Sequence, residues 1–91
     1  MEMNTTIKQR FVISIPEGLH LRPAAMLAKT ADGYDSAITV WCNGSEAEAK
    51  SAMSLILLEA SYGKEVTVIA KGHDADYAMA AIGKLFTVGF C

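Results

Sequence analysis

The chain has 91 residues, 52% of them hydrophobic and 20% charged, which fits one compact domain over residues 1–91 and leaves little material for a second core. Ten acidic against eight basic residues give a formal charge of -2, so there is no basic field to hold a nucleic-acid backbone or an anionic membrane surface. Nucleic acid and membrane insertion are therefore not expected, although Arg22, Lys29 and Lys50 leave local positive charge for protein recognition.

Met1 to Arg10 is polar with scattered charge and lacks the apolar run and small-residue cleavage site of a secretory signal. Leu55 to Leu58 is far too short to span a bilayer, and Glu59 interrupts it. The expectation is a cytoplasmic protein, with nothing that demands more than a monomer. Cys42 and Cys91 are not at metal-ligand spacing and are expected as free thiols, Cys42 as a small buried hydrophobe within a strand.

Ile7, Phe11, Ile13 and Ile15 mostly alternate with polar residues, which predicts a first strand over Ile7 to Ile15. Pro16, Glu17 and Gly18 break it, and Leu21 to Thr30 then carries Ala24, Ala25, Leu27 and Ala28 at helical spacing, with Pro23 in the first turn. Asp32 and Gly33 end this helix. Ala37 to Cys42 has the β-branched and aromatic content of a second strand, and Asn43-Gly44 marks a type I′ hairpin leading into a short third strand over Ser45 to Ala49. Ser51 is placed to cap a second helix containing Ala52, Met53, Leu55, Ile56 and Leu58, whose nearly all-round apolar surface suggests docking. A loop at Ser61 to Lys64 precedes a fourth strand over Glu65 to Lys71, closed by Gly72. Asp74 or Asp76 starts a last helix with Ala78, Met79, Ala81, Ile82, Leu85 and Phe86, ending before Gly89.

This order, β-α-β-β-α-β-α, predicts the α+β class: an open-faced β-sandwich in which a four-stranded antiparallel sheet carries three helices on one face, each element hiding its apolar side.

Gly18-Leu19-His20-Leu21-Arg22-Pro23-Ala24 places a histidine where a loop meets a helix N-terminus. The N–H groups of Leu21, Arg22 and Ala24 are expected to point outward there, and the helix dipole adds about half a positive charge, so a phosphoryl group on His20 would meet donors. Arg22 adds a planar guanidinium suited to phosphate oxygens. An imidazole, with an ordinary pKa of about 6.5, is largely neutral at pH 7 and is a nucleophile able to take a phosphoryl group and release it again. The same residues also fit an exposed cap with a solvated arginine, and a motif this short does not separate the two. No Ser-His-Asp order and no glycine-rich phosphate loop is present. His73, beside Asp74 and Asp76, reads as a solvated loop histidine, and neither a metal site nor a cofactor is expected.

The segment Pro16-Glu17-Gly18-Leu19-His20-Leu21-Arg22-Pro23-Ala24, together with Asn43-Gly44, Ala49-Lys50-Ser51-Ala52-Met53 and Gly63 before the strand Glu65 to Ala70, resembles the histidine-containing phosphocarrier HPr of the bacterial sugar phosphotransferase system over nearly the whole chain. The resemblance implies that His20 accepts a phosphoryl group through Nδ1, with enzyme I as donor, an enzyme IIA domain as acceptor and phosphoenolpyruvate as ultimate source. It implies that Arg22 stabilises the phosphate, and that Leu21, Ala52, Met53 and Ile56 belong to an apolar docking patch. By the same resemblance Ser51 is a regulatory site for HPr kinase/phosphorylase, beside its reading as a plain helix cap. Glu17 stands where many members have Asn or Ser, Leu21 where a small or polar residue is usual, and Ser54 and Glu59 where Gly is frequent. A regulatory binding module governed by Ser51, with His20 unused, is the alternative of a different class; a sibling relay in nitrogen regulation or dihydroxyacetone phosphorylation shares the histidine chemistry.

Overall fold

The computed structural model describes residues 5–90, so the readings of Cys91 and of residues 1–4 fall outside the described residues. Its elements run β1 (Thr5–Val12), α1 (Leu21–Asp32), β2 (Ala37–Cys42), β3 (Ser45–Glu48), α2 (Ala52–Leu57), β4 (Glu65–Gly72) and α3 (Ala75–Val88), the expected order. All strand pairs are antiparallel in a four-stranded sheet of order β1-β4-β2-β3. The last strand in sequence thus lies between the first two, a placement that hydrophobic period alone does not specify.

Strand alternation decides which side is covered. Ile38 and Val40 of β2 and Val66, Val68 and Ala70 of β4 are fully buried, and they join Leu27 of α1, Leu55 of α2 and Ile82 of α3 in the core. Phe11 of β1 stacks on Phe86 of α3 with ring centroids 4.6 Å apart, and Phe90 meets Phe86 edge-on at 5.2 Å, closing the end of the core between α3 and the β1 edge.

Two strands end earlier than the hydrophobic alternation suggests. The residues from Ile13 to Ile15 leave β1 because Ile13 exchanges backbone hydrogen bonds with a loop: its N–H donates to Lys64 O and its carbonyl accepts from Gly63 N–H, both at 2.8 Å. Ile13 nevertheless stays buried. Ala49 lies beyond β3, although its N–H still donates to Ile38 O at 2.9 Å. The Asn43-Gly44 turn has φ of 55° and 78° at its two central residues, as a type I′ hairpin requires.

Asp74 is the residue before α3, as expected, but its carboxylate does not cap that helix. It faces the α1–β2 connection, accepting from Asp35 N–H at 2.8 Å, from Ser36 N–H at 3.0 Å and from the Ser36 hydroxyl. Ser36 is the buried polar residue in this connection, 1% exposed. The Ser36 hydroxyl, then the Asp35 N–H, hold the Asp74 carboxyl below the usual carboxylate range, with the Ser36 N–H and the charge of His73 adding to this against a smaller desolvation penalty.

A carboxylate depressed in the folded state contributes stability above its unfolded pKa of about 3.9 and loses it as pH falls through the lower folded value. Asp74→Asn is therefore expected to lower the urea midpoint at pH 7, and its deficit against wild type is expected to shrink as the pH is taken well below about 4. Urea titrations of both proteins across that range check the sign; a deficit that stays constant with pH contradicts the assignment.

His73 is exposed in the turn before α3, as expected from the sequence, and it also makes a contact that the sequence does not show. Its Nε2 lies 3.1 Å from Asp35 Oδ2, a residue 38 positions earlier. Of its sequence neighbours, Asp74 turns its carboxylate to Ser36 while still feeling the charge of His73, and Asp76 sits in the first turn of α3. Asp35, His73 and Asp74 bring one ligand-type atom each within 4.8 Å of one another, a grouping that these contacts already explain.

Candidate functional site

His20 is the N-cap residue of α1, with extended backbone at φ -91° and ψ -163° and no hydrogen bond from its side chain to the helix end. Its carbonyl accepts the first helical hydrogen bond, from Ala24 N–H at 2.9 Å. This corrects the sequence-based expectation for Ala24, whose N–H is consumed by the first helical turn. Pro23 has no N–H, so Leu21 and Arg22 supply the donors of this helix end.

Three neighbours fix how the histidine is presented. Gly18 has φ of +80°, and a Cβ there would stand 2.9 Å from Ala60 O and 3.1 Å from Ser61 Cα, so only glycine lets the loop approach the chain after α2 this closely. Leu19 is 4% exposed and donates its N–H to Ala60 O at 2.9 Å, which anchors the residue before the histidine in the core. The imidazole itself stays 49% exposed, with Nε2 4.0 Å from Glu17 Oε1. It opens on a cleft of about 220 Å³ whose walls include Leu19, Ile56, Glu59 and Ala60. A larger groove of about 480 Å³ between β1 and α3, lined by Phe11, Met79 and Gly83, holds neither His20 nor Arg22.

Arg22 is exposed in the first turn of α1, makes no ion pair among the described residues, and does not line the cleft. Leu21 is exposed at 68%. Of the other residues expected at a docking patch, Met53 is exposed at 68%, Ala52 and Ile56 are half-buried against the core, and Ile56 alone joins His20 at the cleft. Leu57, exposed at 73%, was not among the expected patch residues. An all-round apolar helix does not reveal which side faces the core: Leu55 and Leu58 do, and that turns Met53 and Leu57 to solvent.

Ser51 is the N-cap of α2, its Oγ accepting Ser54 N–H at 3.2 Å. Ser51→Ala is expected to cost about 1 kcal/mol, and Ser51→Asp, which keeps an acceptor at a helix start, to recover most of it. Chemical denaturation of the three proteins checks this. Lys50 beside it donates from Nζ to Tyr34 O at 2.8 Å, a neutral carbonyl that fixes the side chain without cancelling its charge.

Glu59 ends α2 with φ of +55°, the left-handed conformation that favours glycine, which explains why glycine suits this position. The preceding turn is held from outside: Asn43 Nδ2 donates to Leu58 O at 3.0 Å and to Glu59 O at 3.2 Å. Cys42, next to Asn43, is buried, and burial pushes its thiol pKa up against the opposing effects of Lys64 and a backbone hydrogen bond, so it is not poised as a nucleophile. No helix among the described residues is long and apolar enough to cross a membrane.

Residues 7–87 match the family model described as the PTS HPr component phosphorylation site. The chain is 40% identical over 80 residues to the phosphocarrier protein HPr of Chlamydia muridarum, covering 88% of this chain and 77% of that one. It is 36% identical over 86 residues to the phosphocarrier protein NPr of Escherichia coli K12, covering 93% of this chain and 96% of that one. The crystal structure of HPr-C-His from Thermoanaerobacter tengcongensis superposes with a TM-score of 0.88 at 33% identity, covering 92% of this chain and 94% of that one. An exposed histidine at a helix start, on an antiparallel sheet of this topology, thus sits in a chain that belongs to the HPr family of phosphotransferase-system phosphocarriers.

Proposed function

We propose that His20 is the residue that carries the phosphoryl group, received from enzyme I with phosphoenolpyruvate as the source and passed to an enzyme IIA domain, the protein working as a cytoplasmic monomer. The observation that supports this most directly is the free state of the imidazole. It occupies an N-cap position yet spends neither ring nitrogen on the helix end, and it faces an open cleft at the positive end of α1.

In the charging step the Nδ1 lone pair forms the bond to phosphorus as the bond to the donor breaks, while Nε2 keeps its proton. Delivery reverses this, the acceptor's lone pair displacing Nδ1. The Leu21 and Arg22 N–H groups at the start of α1 are the donors available to the phosphate oxygens, and Arg22 supplies a permanent positive charge in the same turn. Leu21, Met53 and Ile56 provide apolar area for docking, Ala52 lying half-buried behind them.

Ser51 stands at the far end of α2, roughly 8 Å from Ile56 along the axis at 1.5 Å rise per residue. A phosphate placed there by HPr kinase/phosphorylase would put close to two negative charges beside the docking face without unseating the helix, a regulatory role for that residue. Incubation with phosphoenolpyruvate and enzyme I tests the main reading: an acid-labile, base-stable phosphate on His20 is expected, and an unlabelled wild-type protein refutes it. A sibling relay in nitrogen regulation is favoured as the second reading by the likeness to phosphocarrier protein NPr over 93% of the chain. Faster charging by a nitrogen-branch donor than by a sugar-branch enzyme I would select it.

A further inference from the structure

The cleft beside His20 carries a charge pattern that phosphoryl relay does not by itself call for. Its lining contains two carboxylates, Glu17 and Glu59, and no lysine or arginine. Its apolar walls come from Leu19 and Ile56. Glu17 Oε1 is 4.0 Å from His20 Nε2, the ring nitrogen that keeps its proton when Nδ1 is phosphorylated, so its charge acts on that side of the ring. Glu59 occupies a left-handed backbone position, φ +55°, whose strain a glycine would avoid. That conformation is secured by two independent contacts, Glu59 N–H donating to Ile56 O at 3.1 Å and Asn43 donating to Glu59 O at 3.2 Å.

Two negative side chains next to a histidine meant to hold a phosphate dianion repel it, unless a cation enters between them during the exchange. Long cationic side chains suit this setting, since their aliphatic stems cover apolar walls while their heads reach carboxylates.

We propose that the cleft formed by Glu17, Leu19, Ile56 and Glu59 is a specificity-determining socket for one lysine or arginine side chain of the docking protein. The stem lies against Leu19 and Ile56, and the charged head meets Glu17 and Glu59 on the Nε2 side of the His20 ring. Partners that present a neutral or acidic residue at this point are rejected by the unpaired carboxylates. This rests on His20 as the exchanging residue, and it adds the chemistry of the side chain that accompanies the exchange.

Calorimetric titration of the full, unphosphorylated chain with enzyme I tests the socket without relying on phosphoryl transfer. The expected result at about 50 mM NaCl is a Kd weakened about threefold by Glu17→Gln or Glu59→Gln and about tenfold by the double variant, with the wild-type advantage largely gone at about 500 mM. Glu59→Gly is the control for backbone effects: it removes the strain together with the carboxylate, so it should raise the unfolding midpoint and still weaken binding as Glu59→Gln does. A double variant that binds as well as wild type, or better, overturns the proposal, as does a Glu59→Gly protein with unweakened affinity. Charging of His20 by phosphoenolpyruvate and enzyme I is followed separately on the wild type. Failure there strikes the reading of His20, whereas an unaltered Kd strikes the socket.

Discussion

His20→Ala is expected to take up no acid-labile phosphate from phosphoenolpyruvate and enzyme I, while unfolding at a denaturant concentration close to that of wild type. The separation of the two readouts follows from how the histidine is held. Its side chain is 49% exposed and makes no hydrogen bond to the helix it precedes, so truncation removes little buried area and no cap. The acceptor of the first helical hydrogen bond is the backbone carbonyl of residue 20, bonded to Ala24 N–H at 2.9 Å, and alanine keeps it. A stability change within about 0.5 kcal/mol is therefore expected, against a loss of phosphorylation to background. Mass spectrometry under base-stable conditions and urea titration check the two halves; a labelled His20→Ala protein would place the phosphate on another residue.

Gly72→Ala is expected to show the opposite combination, with a large loss of stability at a position away from the His20 cleft. At φ of +155° this residue occupies a region that side chains avoid, and a Cβ there would stand 2.6 Å from Ser36 Oγ and 2.8 Å from Ser36 Cα. One of those atoms is backbone, so rotating a side chain away does not relieve the contact. Ser36 is buried and holds Asp74, so any shift that makes room also loosens the hydrogen bonds that join the α1–β2 connection to the start of α3. Backbone strain and overpacking together give a cost of about 2–4 kcal/mol. Denaturant unfolding is the measurement, and charging of His20 in the fraction that remains folded is expected to persist. A cost under about 1 kcal/mol would mean that Ser36 relaxes freely and that the contact with Gly72 is loose.

These two residues differ in how much of their role is legible along the chain. His20 is visible because every feature that marks it lies within a few positions: a chain-breaking glycine before it, a helical period after it, and Arg22 and Pro23 in the first turn. Gly72 reads only as the end of a strand. Its true constraint is Ser36, far earlier in the chain, and no local pattern announces that approach. The same division runs through the site. Glu17 is readable as a neighbour of His20, but Glu59, Ile56 and Ala60 reach the cleft only because Gly18 and Leu19 dock on the chain following α2.

Sequence alone determined the seven elements and their order, the Asn43-Gly44 hairpin, the cap at Ser51, and the helix start on which the histidine sits. Those features depend on period, on positive φ and on end groups, all of which act over one or two turns of chain. Tertiary structure decided the rest. It set β4 between β1 and β2, turned Asp74 to Ser36 and Asp35 to His73, aimed Leu55 and Leu58 inward so that Met53 and Leu57 face solvent, and placed Glu59 beside His20. Each of these joins residues far apart in the chain, and its free energy depends on close fit across elements that local preference leaves free to move.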